Sequence, residues 1–264
     1  MTLKSCRTLN PDWDISLYTT KQPVRKKTWV DHNEQDFFRY DGEDYLPKVK
    51  DLGIEIIDWV PPTDLPAMGP SHISNFFKWH MLATDGGIYA DMDILWCKPL
   101  DSFYEKIKKA KTVLCCEWFA SIGLLASTPN NKDFSDIFNV ARTTFSLKLY
   151  QCVGVKALYV WLYGPSILKE DGDIDWGILS MRNLTNDVLT KCSNFYNIPK
   201  DIVYPFYSQH IDKIFMKPTP LPYETIGVHW YAGHPIVQDF NNHLTKDNFH
   251  LYDNTLTKIV REFA

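Results

Sequence analysis

A chain of 264 residues carrying 28 Lys and Arg against 32 Asp and Glu has a formal net charge of −4; 45% of it is hydrophobic and 14% aromatic. It is too apolar and too weakly charged to be disordered, and long enough for one large core or two small ones. There is no basic field to hold a polyanion, which argues against nucleic-acid binding. No stretch reaches the roughly 20 apolar residues that cross a bilayer. The longest apolar run, Cys152 to Tyr163 with Lys156 inside it, reads as a buried or surface-lying helix, so membrane contact is at most peripheral. The opening Met1-Thr2-Leu3-Lys4-Ser5-Cys6 lacks the apolar core of a secretion signal. Cysteines 6, 97, 115, 116, 152 and 192 form no C-x-x-C pair and read as reduced, mostly buried thiols in a cytoplasmic protein. Cys115 and Cys116, adjacent in an apolar run, are expected on opposite faces of a strand.

In chain order, Leu3 to Leu9 reads as a helix that stops at Asn10-Pro11, and Ile15 to Thr19 alternates like a strand. Ile54 to Val60 is a strand halted by Pro61-Pro62, and Ser71 to Thr84 a helix ending at Gly86-Gly87. A strand at Ile88 to Ala90, a helix at Ser102 to Lys109, strands at Thr112 to Cys116 and Ile122 to Ser127, and a helix at Asn131 to Phe145 follow. Beyond Asp171 the pattern loosens into Gly-, Asn- and Pro-rich connections, with short strands near Asp201 to Tyr204 and Thr225 to Trp230 and a helix over Leu256 to Phe263. The alternation of strands and helices is that of a layered α/β fold, read as one domain with an irregular second half.

Aspartates spaced D-x-D occur four times, as Asp12/Asp14, Asp91/Asp93, Asp171/Asp173 and Asp173/Asp175, so context must separate them. Asp12 follows Pro11 in a turn. Asp171 to Asp175 has no apolar strand leading into it and no closing Glu for a calcium loop; these are turn and cap residues. Asp91 and Asp93 close Gly86-Gly87-Ile88-Tyr89-Ala90-Asp91-Met92-Asp93 directly after a helix. Alternation along an extended chain puts Tyr89, Asp91 and Asp93 on one face, both carboxylates projecting from the carboxyl end of a buried strand. Two such neighbouring anions repel, and a divalent cation relieves them; oxygen ligands favour Mn²⁺ or Mg²⁺. In the preceding helix Ile73, Phe76, Phe77, Met81 and Thr84 form the expected core stripe. Asn75 and Lys78 share the opposite side, which is either a solvated polar face or part of the site.

The run from Ser74 to Asp93 resembles the sugar-binding region of DXD-containing glycosyltransferases, the group of yeast-type α-mannosyltransferases, α1,4-galactosyltransferases and capsular polysaccharide transferases. The family pattern is roughly S-D-x-x-R-x-x-x-L-x-x-x-G-G-x-Y-x-D-x-D. Weaker similarities lie at Leu3 to Trp13, at Ser121 to Ser127 with Pro129-Asn130, at Tyr163-Gly164-Pro165, and at Gly227-Val228-His229-Trp230-Tyr231-Ala232-Gly233, which is similar to a closing H-h-W-x-G-S-W segment.

The resemblance implies a GT-A fold, a single Rossmann-like domain with a mixed central sheet. Residues 1–130 would hold the nucleotide-sugar and metal, and residues 131–264 would form the acceptor side and closing segment. It implies Mn²⁺ or Mg²⁺ on Asp91, Asp93 and His229, and a UDP- or GDP-sugar donor contacted by Asn75, Lys78, Gly87, Tyr89, Asp91, Trp230 and His234. The acceptor would be a glycan or lipid-linked glycan, with retention of anomeric configuration. Asn75 and Lys78 stand where the family has Asp and Arg, and His234-Pro235 where it has Ser-Trp. Lys lacks the bidentate fork of Arg, so donor preference does not carry over. The family's opening strand of the I-P-K-x-I-H type is not among these residues; either another segment takes its place or the chain is shortened. A sugar-nucleotide hydrolase, a nucleotidyltransferase, or a non-catalytic sugar- or partner-binding protein with a degenerate transferase fold are the alternatives. No catalytic nucleophile is assigned.

Overall fold

The computed structural model describes residues 1–20, 43–65, 68–146, 149, 151–234, 236, 237, 240, 243–245 and 247–263. Pro235 of the His234-Pro235 departure lies outside them. Helix α1 (Thr2–Leu9) stops at Asn10, whose amide donates back to Cys6 O (2.8 Å) while its Oδ1 accepts from Leu100 N (2.7 Å). Strand β1 (Ser16–Thr19) pairs in parallel with β2 (Glu55–Asp58), and helix α2 (Leu46–Asp51) lies between them in sequence. The sequence pattern misses α2 because none of its residues is buried, so it carries no apolar stripe.

The central sheet holds β3 (Gly87–Ala90), β6 (Ala120–Ser127), β5 (Thr112–Cys116) and β7 (Phe195–Asn197), in that order. β3 and β5 run antiparallel to β6, and β7 runs parallel to β5, so the sheet is mixed. Helices α3 (Pro70–Thr84), α5 (Lys132–Thr144) and α6 (Val155–Tyr163) pack on one another and cover one face. Phe76, Trp79, Phe134, Ile137 and Leu158 meet Leu114 and Cys116 there. On the other face Val113, Cys115 and Leu124 meet Ile94 and Trp96 of β4 (Ile94–Trp96) and Phe103 and Ile107 of helix α4 (Asp101–Ile107). Cys115 and Cys116 therefore face opposite cores, as alternation requires. All six cysteines are free, five of them buried. β4 pairs antiparallel with β8 (Gly227–His229), and a third core under β8 is closed by the helix Thr255–Arg261. The layered α/β class is as the sequence pattern predicts, and the mixed central sheet is as the resemblance implies.

Four expectations change. First, the buried face of α3 is His72, Asn75, Phe76, Lys78, Trp79 and Leu82; Thr84 is exposed, and Phe77 turns aside to cover Tyr18 and Trp59 (centroids 4.6 and 5.3 Å apart). Counting only apolar residues shifted the stripe, because Asn75 and Lys78 lie within the buried face. Second, β3 is a half-buried edge strand, covered by β6 on one side. Third, the extended chain ends at Ala90, and Asp91-Met92-Asp93 is a turn closed by Ile94 N donating to Asp91 O (3.3 Å). Fourth, Lys200–Ile202 is a 3₁₀ turn where a strand near Asp201 to Tyr204 is expected; it begins directly after Pro199, which lacks an N–H for a ladder. The later aspartates are caps: Asp175 Oδ1 accepts from Gly177 N and Ile178 N to start a helix, and Asp171 Oδ1 accepts from Asp173 N.

Candidate metal and donor site

Helix α3 ends abruptly because Gly86 takes a left-handed conformation (φ +72°), its N–H donating to Met81 O at 3.0 Å. A Cβ on Gly86 would come 2.6 Å from Pro129 N, so both space and conformation demand glycine. The chain reverses into β3 and arrives at Asp91, whose N–H donates to Gly123 O at 2.7 Å. Met92, 52% exposed, forms the outer corner of the turn, and the chain re-enters the fold at β4. The β4–β8 register sets Ile94 opposite His229, which brings the histidine beside Asp93. Ligand atoms of Asp91, Asp93 and His229 all lie within 4.8 Å of one another. Convergence across a turn, rather than alternation along a strand, gathers the two carboxylates.

Each carboxylate is held differently. Asp91 Oδ1 accepts from Tyr89 OH (2.6 Å) and from Lys78 Nζ (3.2 Å); the same ammonium donates to Ile122 O (3.1 Å) and stands 4.8 Å from the Tyr89 ring centre. Ser74 Oγ lies 3.1 Å from the Tyr89 hydroxyl. Asp93 Oδ1 lies 3.1 Å from His229 Nε2, and its Oδ2 accepts from Ala232 N at 3.1 Å. Burial pushes the Asp93 carboxyl upward, but attraction to His229 and the bonds from His229 and Ala232 outweigh it and hold the group below the usual carboxylate range. Burial, then the Asp91 charge, drives the Tyr89 phenol well up, so it stays protonated and donates.

The space between these groups is kept by Gly123. A Cβ there would meet Tyr204 Oη at 2.6 Å, Asp91 Oδ2 at 2.9 Å and His229 Cδ2 at 3.2 Å. The β5–β6 ladder is irregular here: Val113 pairs with Ala126 but Cys115 with Ser121, and Gly123 N donates to Tyr204 OH (2.8 Å) outside the ladder. Such a bulge beside a site re-aims the backbone. His229 Nδ1 is buried and finds no hydrogen-bond partner among the described residues. Two carboxylates and the Nε2 edge of an imidazole around a glycine-cleared gap fit a divalent cation, and their donor atoms suit Mn²⁺ or Mg²⁺.

Of the other expected residues, Asn75 is buried one helical turn from Lys78 and close to Gly154. Trp230 is tied to the site through its backbone, Trp230 N donating to Asp93 O at 2.9 Å, while its side chain packs on the third core. His234 is not part of the three-residue group; its Nδ1 accepts from Ile236 N (3.3 Å) in the following turn. Gly87 starts β3, at the end opposite Asp91. Sequence reading leaves out Ser74, Gly123, Tyr204 and Tyr231. Tyr231 takes φ +55°, costly for a bulky residue, and its hydroxyl donates to Phe206 O (2.9 Å). Its ring stands edge-on to His229 at 4.5 Å, and the turn it makes brings Ala232 N–H to Asp93. Only Gly123, a glycine interrupting an apolar strand, carries a sequence signal.

Residues 1–113 match the family described as glycosyltransferase sugar-binding region containing DXD motif. Among solved structures, the chain is similar to one titled PaToxG Glycosyltransferase, with 16% identity and a TM-score of 0.41, over 61% of this chain and 60% of that one. No curated protein matches. The matched residues take in Asp91 and Asp93, near their end.

Proposed function

We propose that the protein is a metal-dependent, retaining hexosyltransferase that moves a sugar from a UDP- or GDP-sugar to a glycan or lipid-linked acceptor. The observation that carries this reading is the meeting of Asp91 and Asp93, from the matched region, with His229 from the far end of the chain. The meeting supports reading the donor part, residues 1–130, and the acceptor and closing part, residues 131–264, as one domain.

Asp91, Asp93 and His229 would hold Mn²⁺ or Mg²⁺, which supplies positive charge against the leaving diphosphate of the donor. Lys78 neutralises Asp91 from the protein side, sharing its ammonium between Asp91 Oδ1 and Ile122 O. Tyr89 adds a second donor to the same oxygen, which leaves Asp91 Oδ2, facing the gap at Gly123, to ligate. Asp93 anchors the closing segment through Ala232 N–H and Trp230 N–H, so the segment bearing His229 is set in place by the same residue that binds the ion. The sugar leaves its phosphate oxygen for an acceptor hydroxyl on the same face of the ring.

A screen of UDP- and GDP-sugars for donor hydrolysis, with and without Mn²⁺, tests the reading. At least one donor is expected to turn over only with metal, and to transfer when a saccharide acceptor is added. Turnover unchanged by metal chelation contradicts it.

A further inference from the structure

An exposed aromatic shelf stands beside the ion gap, built of residues the metal group does not use. The loop between β5 and β6 carries Trp118, 86% exposed, and Phe119, also exposed. Phe119 leans on Tyr207, their ring centres 5.3 Å apart. A single apolar side chain at the surface needs no explanation, but neighbouring large rings that forgo burial do.

The loop is pinned at both ends. Cys116 N donates to Asn197 Oδ1 (2.8 Å) and Asn197 Nδ2 to Cys116 O (3.0 Å); Lys200 N donates to Glu117 Oε1 (3.0 Å), and Ala120 N to Tyr159 OH (2.8 Å). The Trp118 indole is therefore presented to solvent by a fixed backbone. Two segments run from the ion gap to it. β6 leads back from Gly123 past half-buried Ser121 to Phe119, about 13 Å at the rise of an extended chain. Tyr204, whose hydroxyl accepts from Gly123 N and whose ring lies 5.2 Å from His229, leads on to Tyr207. The Tyr231 hydroxyl ties this second segment to the closing turn by donating to Phe206 O. Gap and shelf are thus the two ends of one strip.

We propose that Trp118, backed by Phe119 and Tyr207, stacks on a sugar ring of the acceptor other than the ring that receives the transfer, so that the acceptor is a saccharide chain and not a single sugar. This rests on the transferase reading above. The C–H face of a sugar ring packs flat on an indole, while the hydroxyls at its rim need polar partners beside the aromatic. Glu117 is such a partner, since a carboxylate bonded to one N–H can still accept from a hydroxyl. A membrane surface fits the shelf less well. Anionic headgroups call for cations around the aromatics, and Lys200, whose ammonium lies 5.0 Å from the Tyr207 ring centre, is paired with Asp201 at 2.6 Å. The length of the strip keeps one monosaccharide from touching gap and shelf together.

An array of neutral glycans, from monosaccharides to oligosaccharides, tests this with wild type, Trp118→Ala, Trp118→Phe and Asp93→Asn; vesicles of phosphatidylcholine and phosphatidylserine form a separate arm. Wild type is expected to be retained by at least one oligosaccharide series, and more strongly than by the monosaccharide of that series. Trp118→Ala should weaken that affinity about tenfold with Tm unchanged, because the indole is exposed, and Trp118→Phe should recover most of it. Asp93→Asn should keep glycan retention while losing metal-dependent nucleotide binding, which separates shelf from ion site. Retention on no glycan, equal retention of wild type and Trp118→Ala, a monosaccharide bound as tightly as its chain, or Trp118-dependent binding to vesicles in place of glycans overturns the proposal and leaves the metal reading standing. Glycan retention without any metal-dependent nucleotide binding in wild type overturns the transferase reading and, with it, the acceptor role.

Discussion

Lys78 illustrates how a single residue serves structure and site together. Its side chain is 2% exposed, a position where an ammonium survives only with partners, and it has two: Asp91 Oδ1 and Ile122 O. Asp91 is itself about a quarter exposed, so the pair sits at the boundary between core and cleft. Lys78→Met keeps the buried stem but takes the ammonium from Ile122 O and leaves Asp91 Oδ1 with Tyr89 OH alone, and should destabilise the free protein by about 3 kcal/mol in chemical denaturation. Because a cation on Asp91 would replace the lost charge, saturating Mn²⁺ should recover part of that loss in Lys78→Met and add less to wild type. Identical metal effects on the two proteins would mean that Lys78 is a packing residue alone. From sequence, Lys78 stood between a solvated face and a site; helix periodicity cannot decide this, since it treats every charge as outward-facing. The carboxylate pair was legible because Gly86-Gly87 and an aromatic frame it. Its partners Gly123, Tyr204 and the Ala232 N–H were not, because they reach it by tertiary contacts that leave no local spacing.

At the scale of elements, strands with strong apolar alternation were legible: β5 and β6 fall where the pattern puts them, with Cys115 and Cys116 on opposite faces. Short pieces that depend on their neighbours were not. β4 is three residues long and exists as the partner of β8, and Lys200–Ile202 turns where apolar content suggested a strand. Helix α6 shows a cost carried by an element as a whole. Its Lys156 is almost fully covered, and loss of hydration lowers its pKa below the ordinary 10.5 despite the pull of Cys152, Asp173 and Asp171. Between the lowered value and 10.5 the unfolded chain keeps a proton that the folded chain has released, so stability rises with pH across that window. Below the lowered value the full cost is present. Lys156→Met should therefore raise the Tm at pH 7, and its advantage should shrink as pH climbs toward 10.5. A gain that did not vary with pH would point to packing, and a loss at pH 7 would mean that attraction to the Asp171–Asp173 loop prevails.

Across the whole molecule, the two ends of the chain depend on each other. The turn at Asp91 to Asp93 comes from the first half, while His229, Tyr231 and Ala232 come from the last quarter, brought in by β8 pairing with β4. No helix among the described residues is long and apolar enough to cross a membrane. The fold joins an acidic turn, a buried lysine and a histidine at one glycine-cleared gap. The function proposed above requires this gap to take a divalent cation and, with it, a nucleoside diphosphate. Manganese paramagnetic resonance of the intact protein with UDP or GDP, compared between wild type and Asp93→Asn, tests it most directly. Wild type is expected to capture free Mn²⁺ and to bind it more tightly when nucleotide is added, and Asp93→Asn, still folded, to lose at least about tenfold in affinity. Mn²⁺ bound equally well by the variant, or by neither protein with either nucleotide present, would contradict it.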